Sequence, residues 1–138
     1  MKNNAKGATL IKVSSIIMII LSAFSFIFAL LGLFGIIALD FLTIILIIWT
    51  FIYPAVMMAT AVTGLVHNKS TDKKIMDSCF KWGIALIIIM ILDYIIGFFL
   101  NGLYGVSIIS LIRFIFPILY LVGVNQNKKS IDSNDFNN

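Results

Sequence analysis

Asp93 and Arg113 are the two charges set inside the helical apolar stretches of this 138-residue chain, and they mirror each other about a turn. Asp93 lies eight residues before Asn101, and Arg113 lies eight residues after Gly105. The segment Asn101-Gly102-Leu103-Tyr104-Gly105 between them reads as the tip of a helical hairpin. At about 1.5 Å per residue, both charges would lie about 12 Å below that tip on neighbouring antiparallel helices. An ionisable side chain at such depth is expensive, so it is either paired or part of an ion or proton pathway. Three readings follow: a structural ion pair that fixes which helix packs on which, a proton- or ion-responsive site opening to the outer face, or two charges without contact. In the second reading Tyr94, Asn101 and Ser110 are the polar neighbours.

Ser110, Arg113, Pro117 and Tyr120 recur at three- and four-residue steps, a polar stripe matched by Asp93, Gly97 and Asn101. Pro117 removes the hydrogen bond to the Arg113 carbonyl and Pro54 the one to Thr50, so both prolines are expected to kink their helices. Gly97 would let two helices approach closely. Ala55, Ala59 and Thr63 form a small-residue face, with Thr60 and Gly64 adding a second step. Ser25, Ala29 and Gly32 are a weaker counterpart on the preceding helix. Faces of this kind serve packing within a bundle or an interface with a second copy or a partner subunit.

Other reactive groups are sparse. His67 has no second imidazole, Cys or Glu at ligand spacing, so it reads as a solvated helix-end histidine. Met57 and Met58 read as packing residues, and the single Cys79 as a reduced, inert thiol. Asp72 and Asp77 are too sparse to suggest phosphoryl chemistry, and no nucleophile, paired-carboxylate or phosphate-loop motif occurs. The expectation is a non-enzymatic protein with no catalytic residue, no metal and no cofactor.

The elements that must position these residues are membrane helices. The chain is 61% hydrophobic and 12% charged, with a mean hydropathy of +1.09, which excludes a soluble globular domain. A bilayer core needs about 20 apolar residues per helix. Val13 to Val66 and Phe80 to Val124 each supply enough for two, so we expect an all-α membrane domain over residues 1–124. It is a bundle of four transmembrane helices in two hairpins, at roughly 10–34, 42–66, 79–100 and 105–124. Gly32, Gly35 or Asp40 marks the first turn. Residues 125–138 are polar and expected to be a disordered cytoplasmic tail.

Lys2, Lys6, Lys12, Lys69, Lys73, Lys74, Lys81, Lys128 and Lys129 border one side, while the tips near Asp40 and Leu103 carry no basic residue. This pattern places both termini in the cytoplasm. The net charge of +4 then reflects topology and contact with anionic head groups, not nucleic-acid binding. Trp82 and Tyr104 suit interfacial anchoring, and Trp49 lies deeper, as a packing residue. The N-terminus carries a basic flank, but the apolar run is longer than a signal peptide's and lacks a cleavage motif, so a retained helix is expected. Gly64-Leu65-Val66-His67-Asn68-Lys69-Ser70 and Gly123-Val124-Asn125-Gln126-Asn127-Lys128-Lys129-Ser130 end the two hairpins alike, consistent with a parallel repeat.

The absence of Glu and the richness in Ile, Asn and Lys suit an AT-rich prokaryotic genome, and hence the plasma membrane of a prokaryote. In size and layout the chain is similar to the small multidrug resistance transporters, but it lacks the membrane-embedded glutamate of their first helix. It is also unlike the holins, whose tails are more charged. With short non-basic tips, Gly64 before Asn68-Lys69, and Pro117 with Gly123 before Asn127-Lys128-Lys129, it resembles the loosely defined set of uncharacterised small four-helix membrane proteins of AT-rich prokaryotes. That resemblance implies a four-helix bundle and no activity. The expected role is therefore an accessory or structural subunit or a self-associating bundle, with the lipid bilayer, a second copy or a membrane subunit as partner. The alternative is a small oligomeric transporter or channel using Asp93 and Arg113.

Overall fold

The structure is a computed structural model that describes residues 6–34, 40–101 and 112–135. Among the described residues the main elements are four helices: α1 (Ala8–Leu33), α2 (Phe41–His67), α3 (Lys73–Asn101) and α4 (Ile115–Asp135). α1, α2 and α3 are each long and apolar enough to cross a membrane. α4 is shorter, apolar to Val124 and polar beyond.

Local chemistry sets the helix starts. Asp40 sits in extended backbone, and its carboxylate accepts the Thr43 N–H at 2.7 Å, capping α2. Hydrogen bonding from the Thr43 side chain, and then from this backbone N–H, holds its carboxyl below the ordinary value of 3.8. Asp72 caps α3 by accepting the Lys74 N–H at 2.8 Å. Gly7 starts α1, donating its N–H to the Asn127 side-chain oxygen at 2.7 Å.

Consecutive helices run antiparallel, and α1 and α3 each pack on both α2 and α4. Ser22 meets Pro54, Trp49 meets Asp93, and Cys79 meets Tyr120, so sequence positions rise on one helix as they fall on the next. The result is an up-down-up-down bundle.

Two helix boundaries differ from expectation. α3 begins at Lys73, not near residue 79, and α4 runs through the boundary at 124–125 to Asp135, over a stretch expected to be disordered. The extensions hold each other. Lys73 pairs with Asp132 at 2.7 Å, Lys128 pairs with Asp77, and the Lys128 ammonium lies 4.9 Å from the centre of the Phe80 ring. Asn127 is fully buried, bonded to the Gly7 N–H and to the Asn68 carbonyl at 2.9 Å. Polarity marks where the apolar segment stops, but a polar helix continues where a second helix satisfies it.

The expected start of the fourth span near residue 105 lies outside the described residues. Arg113 and Phe114 form a turn, and Pro117 falls in the first turn of α4, where a missing N–H removes no internal bond. Within α4, Pro117 is a helix-start proline, and the chain before Ile112, on which a kink would be judged, lies outside the described residues. Pro54 does lie inside α2, and its own carbonyl accepts the Ser22 hydroxyl at 2.6 Å.

Candidate functional site

The bundle has a closed half and an open half. In the closed half, near the lysine-rich end, the fully buried Tyr120 reaches across from α4 and donates its hydroxyl to the Cys79 carbonyl at 3.3 Å. Around it small residues let backbones touch. A Cβ on Gly64 would meet the Tyr120 ring at 2.2 Å, and one on Gly7 would meet the Gly123 carbonyl oxygen at 1.8 Å. Ile11, Met18, Met57, Ala61, Met76, Leu86 and Val124 complete this core. The Thr60 hydroxyl also bonds the Trp82 carbonyl across α2 and α3 at 3.3 Å.

Above Tyr53 on α2 and beyond Met90 on α3, no residue is buried. Two cavities of about 530 and 380 Å³ open there, the first between α1 and α2, the second between α2 and α3. They share Leu46, Thr50, Tyr53, Asp93 and Arg113. Asp93 and Arg113 are thus brought to one place, yet they do not form an ion pair within 4.0 Å. The ion pairs among the described residues are Lys73–Asp132 and Lys128–Asp77. The partner of Asp93 is Trp49, whose indole N–H donates to its carboxylate at 3.0 Å. Arg113, exposed in the turn before α4, has no hydrogen bond or ion pair among the described residues.

The other sequence-predicted residues divide between the halves. Tyr94 and Gly97 line the second cavity, and among the described residues a Cβ on Gly97 would meet nothing within 4 Å, so Gly97 mediates no close approach between the described helices. Ser110 and the Asn101 side chain lie outside the described residues. Tyr120 belongs to the closed core and not to the charged cavity. On α2 the packed face is Met57, Thr60, Ala61 and Gly64, whereas Ala55 is exposed and Ala59 and Thr63 are half-buried. The small-residue reading was therefore right in kind at Thr60 and Gly64 but rotated in face. Sequence reasoning missed Trp49 as the carboxylate's donor, along with Ser22, Gly7 and Asn127. A tryptophan away from the aromatic belt with an acid elsewhere in the membrane was the available signal for Trp49.

Chemically, among the described residues, the site offers one carboxylate, one guanidinium and an indole donor in a cleft of mixed polar and apolar lining. Among the described residues that line the two cavities, Asp93 is the one acid. Among the described residues no group of three His, Cys, Asp or Glu side chains could hold a metal ion.

The architecture defines the class: an all-helical protein with three helices able to cross a membrane and a fourth packed among them. In comparisons with known proteins, no family model, no curated protein and no solved structure matches the chain.

Proposed function

We propose that the chain is a non-enzymatic four-span protein of a prokaryotic plasma membrane, with both termini cytoplasmic, acting as an accessory or structural subunit or as a self-associating bundle. The observation that carries this reading is the distribution of apolar surface. Phe34, Phe41 and Phe99 are 89%, 80% and 80% exposed at the open end, and α1, α2 and α3 present exposed Ile, Leu and Phe along their lengths. In α1 to α3 only 11–17% of the most apolar window is buried inside one chain. Lipid or other helices must cover that surface, and with almost no extramembrane mass the helix faces are where partners can be recognised. The fourth span consists of the apolar first part of α4 with the segment before it, and the lysines of both ends face the cytoplasm.

Purification in mild detergent followed by native mass spectrometry tests the role. A reproducible second polypeptide, or a defined homo-oligomer, is the expected outcome. A monomer alone under conditions that preserve known complexes would refute assembly as the role.

A second reading has a specific observation behind it. Asp93 and Arg113 line adjoining cavities, which is where a transporter would carry ionisable groups. One chain closes below them at Met57, Leu86 and Tyr120, so transport requires rearrangement or an oligomer. Ion or proton flux in proteoliposomes, lost on Asp93→Asn, is its test.

A further inference from the structure

We propose that the junction of the two cavities is a binding site for a zwitterion, a molecule carrying an ammonium group and an anionic phosphate or carboxylate, with an apolar tail laid in the groove between α1 and α2. The inference rests on the membrane-spanning reading and adds a ligand to it.

Three observations carry it. First, Asp93 and Arg113 converge on the same cleft without neutralising each other: they are farther than 4.0 Å apart and share the walls of both cavities. Opposite charges held apart in an apolar setting are costly unless water or a ligand completes them, and one ligand with both signs completes both. Second, the Asp93 carboxylate is fixed from one side by Trp49 at 3.0 Å, which orients it and leaves capacity for an ammonium donor. Arg113 supplies a fork of N–H groups suited to an oxyanion. Third, the larger cavity of about 530 Å³ extends from these charges along Phe28, Leu33, Leu46, Ile47 and Phe51, with Ser25, Thr43 and Thr50 also in its lining, a trough that can take hydrocarbon beside a polar head. A charged centre with an apolar trough is the form of an amphiphile. An aminophospholipid and a soluble amino-phosphate share the recognising chemistry and differ in use of that trough.

Trp49 makes the site observable. An ammonium placed on Asp93 changes the field at the indole and shifts its emission; replacing Trp82 with Phe leaves Trp49 as the only tryptophan. The Trp82→Phe protein in maltoside micelles is titrated with phosphatidylethanolamine, phosphatidylglycerol and free phosphoethanolamine. The expected result is a saturable shift with phosphatidylethanolamine, at least tenfold tighter than with phosphatidylglycerol. Asp93→Asn and Arg113→Gln should each weaken it tenfold or more, and Arg113→Lys should restore most of the binding lost in Arg113→Gln. A shift with free phosphoethanolamine as strong as with the lipid supports the zwitterion site and assigns a soluble source. Equal response to both lipids, or no saturable shift with any of the three, overturns the proposal. If a charge variant does not fold, as judged by helix content and gel filtration, the comparison between head groups alone decides. Unaltered helix content with no head-group discrimination removes the ligand site and leaves the membrane-spanning reading intact.

Discussion

Asp93 holds a tryptophan, and that separates its energetics from those of Arg113. A hydrogen bond to a charged group is worth about 1.5–3 kcal/mol, so Asp93→Leu should destabilise the bundle by an amount of that order. Arg113→Leu should cost less, because the exposed guanidinium has no partner among the described residues. Because the two are not in contact, the double substitution should cost the sum of the singles within about 0.5 kcal/mol. Unfolding in mixed micelles measures all three, and a double variant more stable than Asp93→Leu would show that the pair exists after all. Asp40 gives a pH signature outside the spans. Hydrogen bonds from the Thr43 side chain and backbone N–H lower the carboxyl below its ordinary 3.8, so the capped form is favoured fully above that value. The contribution is lost as pH falls through the lower folded value and is constant at neutral pH. The Thr43 amide, followed by NMR in micelles, should therefore titrate with an apparent midpoint below 3.8, and Asp40→Asn should abolish that step. A midpoint at or above 3.8 would mean that the cap does not form in solution.

Between helices, the decisive feature is where a side chain cannot fit. Gly64 faces the Tyr120 ring and the Ser15 hydroxyl, and Gly7 lies against the Gly123 backbone, so Gly64→Ala and Gly7→Ala force helices apart. Each should cost about 1–3 kcal/mol, the usual penalty of overpacking, with Gly7→Ala at the upper end because its obstacle is backbone. Gly97 stands beside open space, so Gly97→Ala should stay within about 1 kcal/mol of the native protein, helped by better helix propensity. Stability of the three variants in one series checks the contrast; equal losses would mean that the open half closes. This contrast was invisible in the sequence, where Gly64 and Gly97 both read as contact residues. Helices that are apolar all round carry no period that tells a lipid-facing side from a packed one, hence the rotated face at Ala55, Ala59 and Thr63. What was legible rests on stronger physics. The ends of α1 and α2 fall within two residues of their expected positions, because apolar length and the Asp40 cap fix them. The start of α3 and the run of α4 to Asp135 were not legible, since Lys73–Asp132, Lys128–Asp77 and buried Asn127 are long-range satisfactions of polar groups. The convergence of Asp93 and Arg113 was legible from their symmetry about the tip; their separation, and Trp49 between α2 and α3, required the packing.

Among the described residues, the bundle is asymmetric along its axis, interlocked at the lysine-rich end and cleft toward the other. Thiol chemistry reads both halves in one protein. Cys79 is fully buried, so a maleimide should leave it unmodified in micelles and react once the bundle is unfolded in strong detergent. Thr50 lines both cavities and is exposed, so a cysteine introduced by Thr50→Cys should react readily in the folded state. Sidedness then tests topology. With the lysines held in the cytoplasm, the cleft opens outward, and a membrane-impermeant maleimide added to intact cells should label the Thr50→Cys protein and spare Cys79. Labelling only in inverted vesicles would reverse the orientation, and no labelling from either side would mean that the cleft is filled in the assembled protein. Addition of excess phosphatidylethanolamine separates the last case further: protection of the Thr50→Cys thiol in micelles, relieved by Asp93→Asn, ties the closed state of the cleft to occupancy at the two charges and not to collapse of the helices.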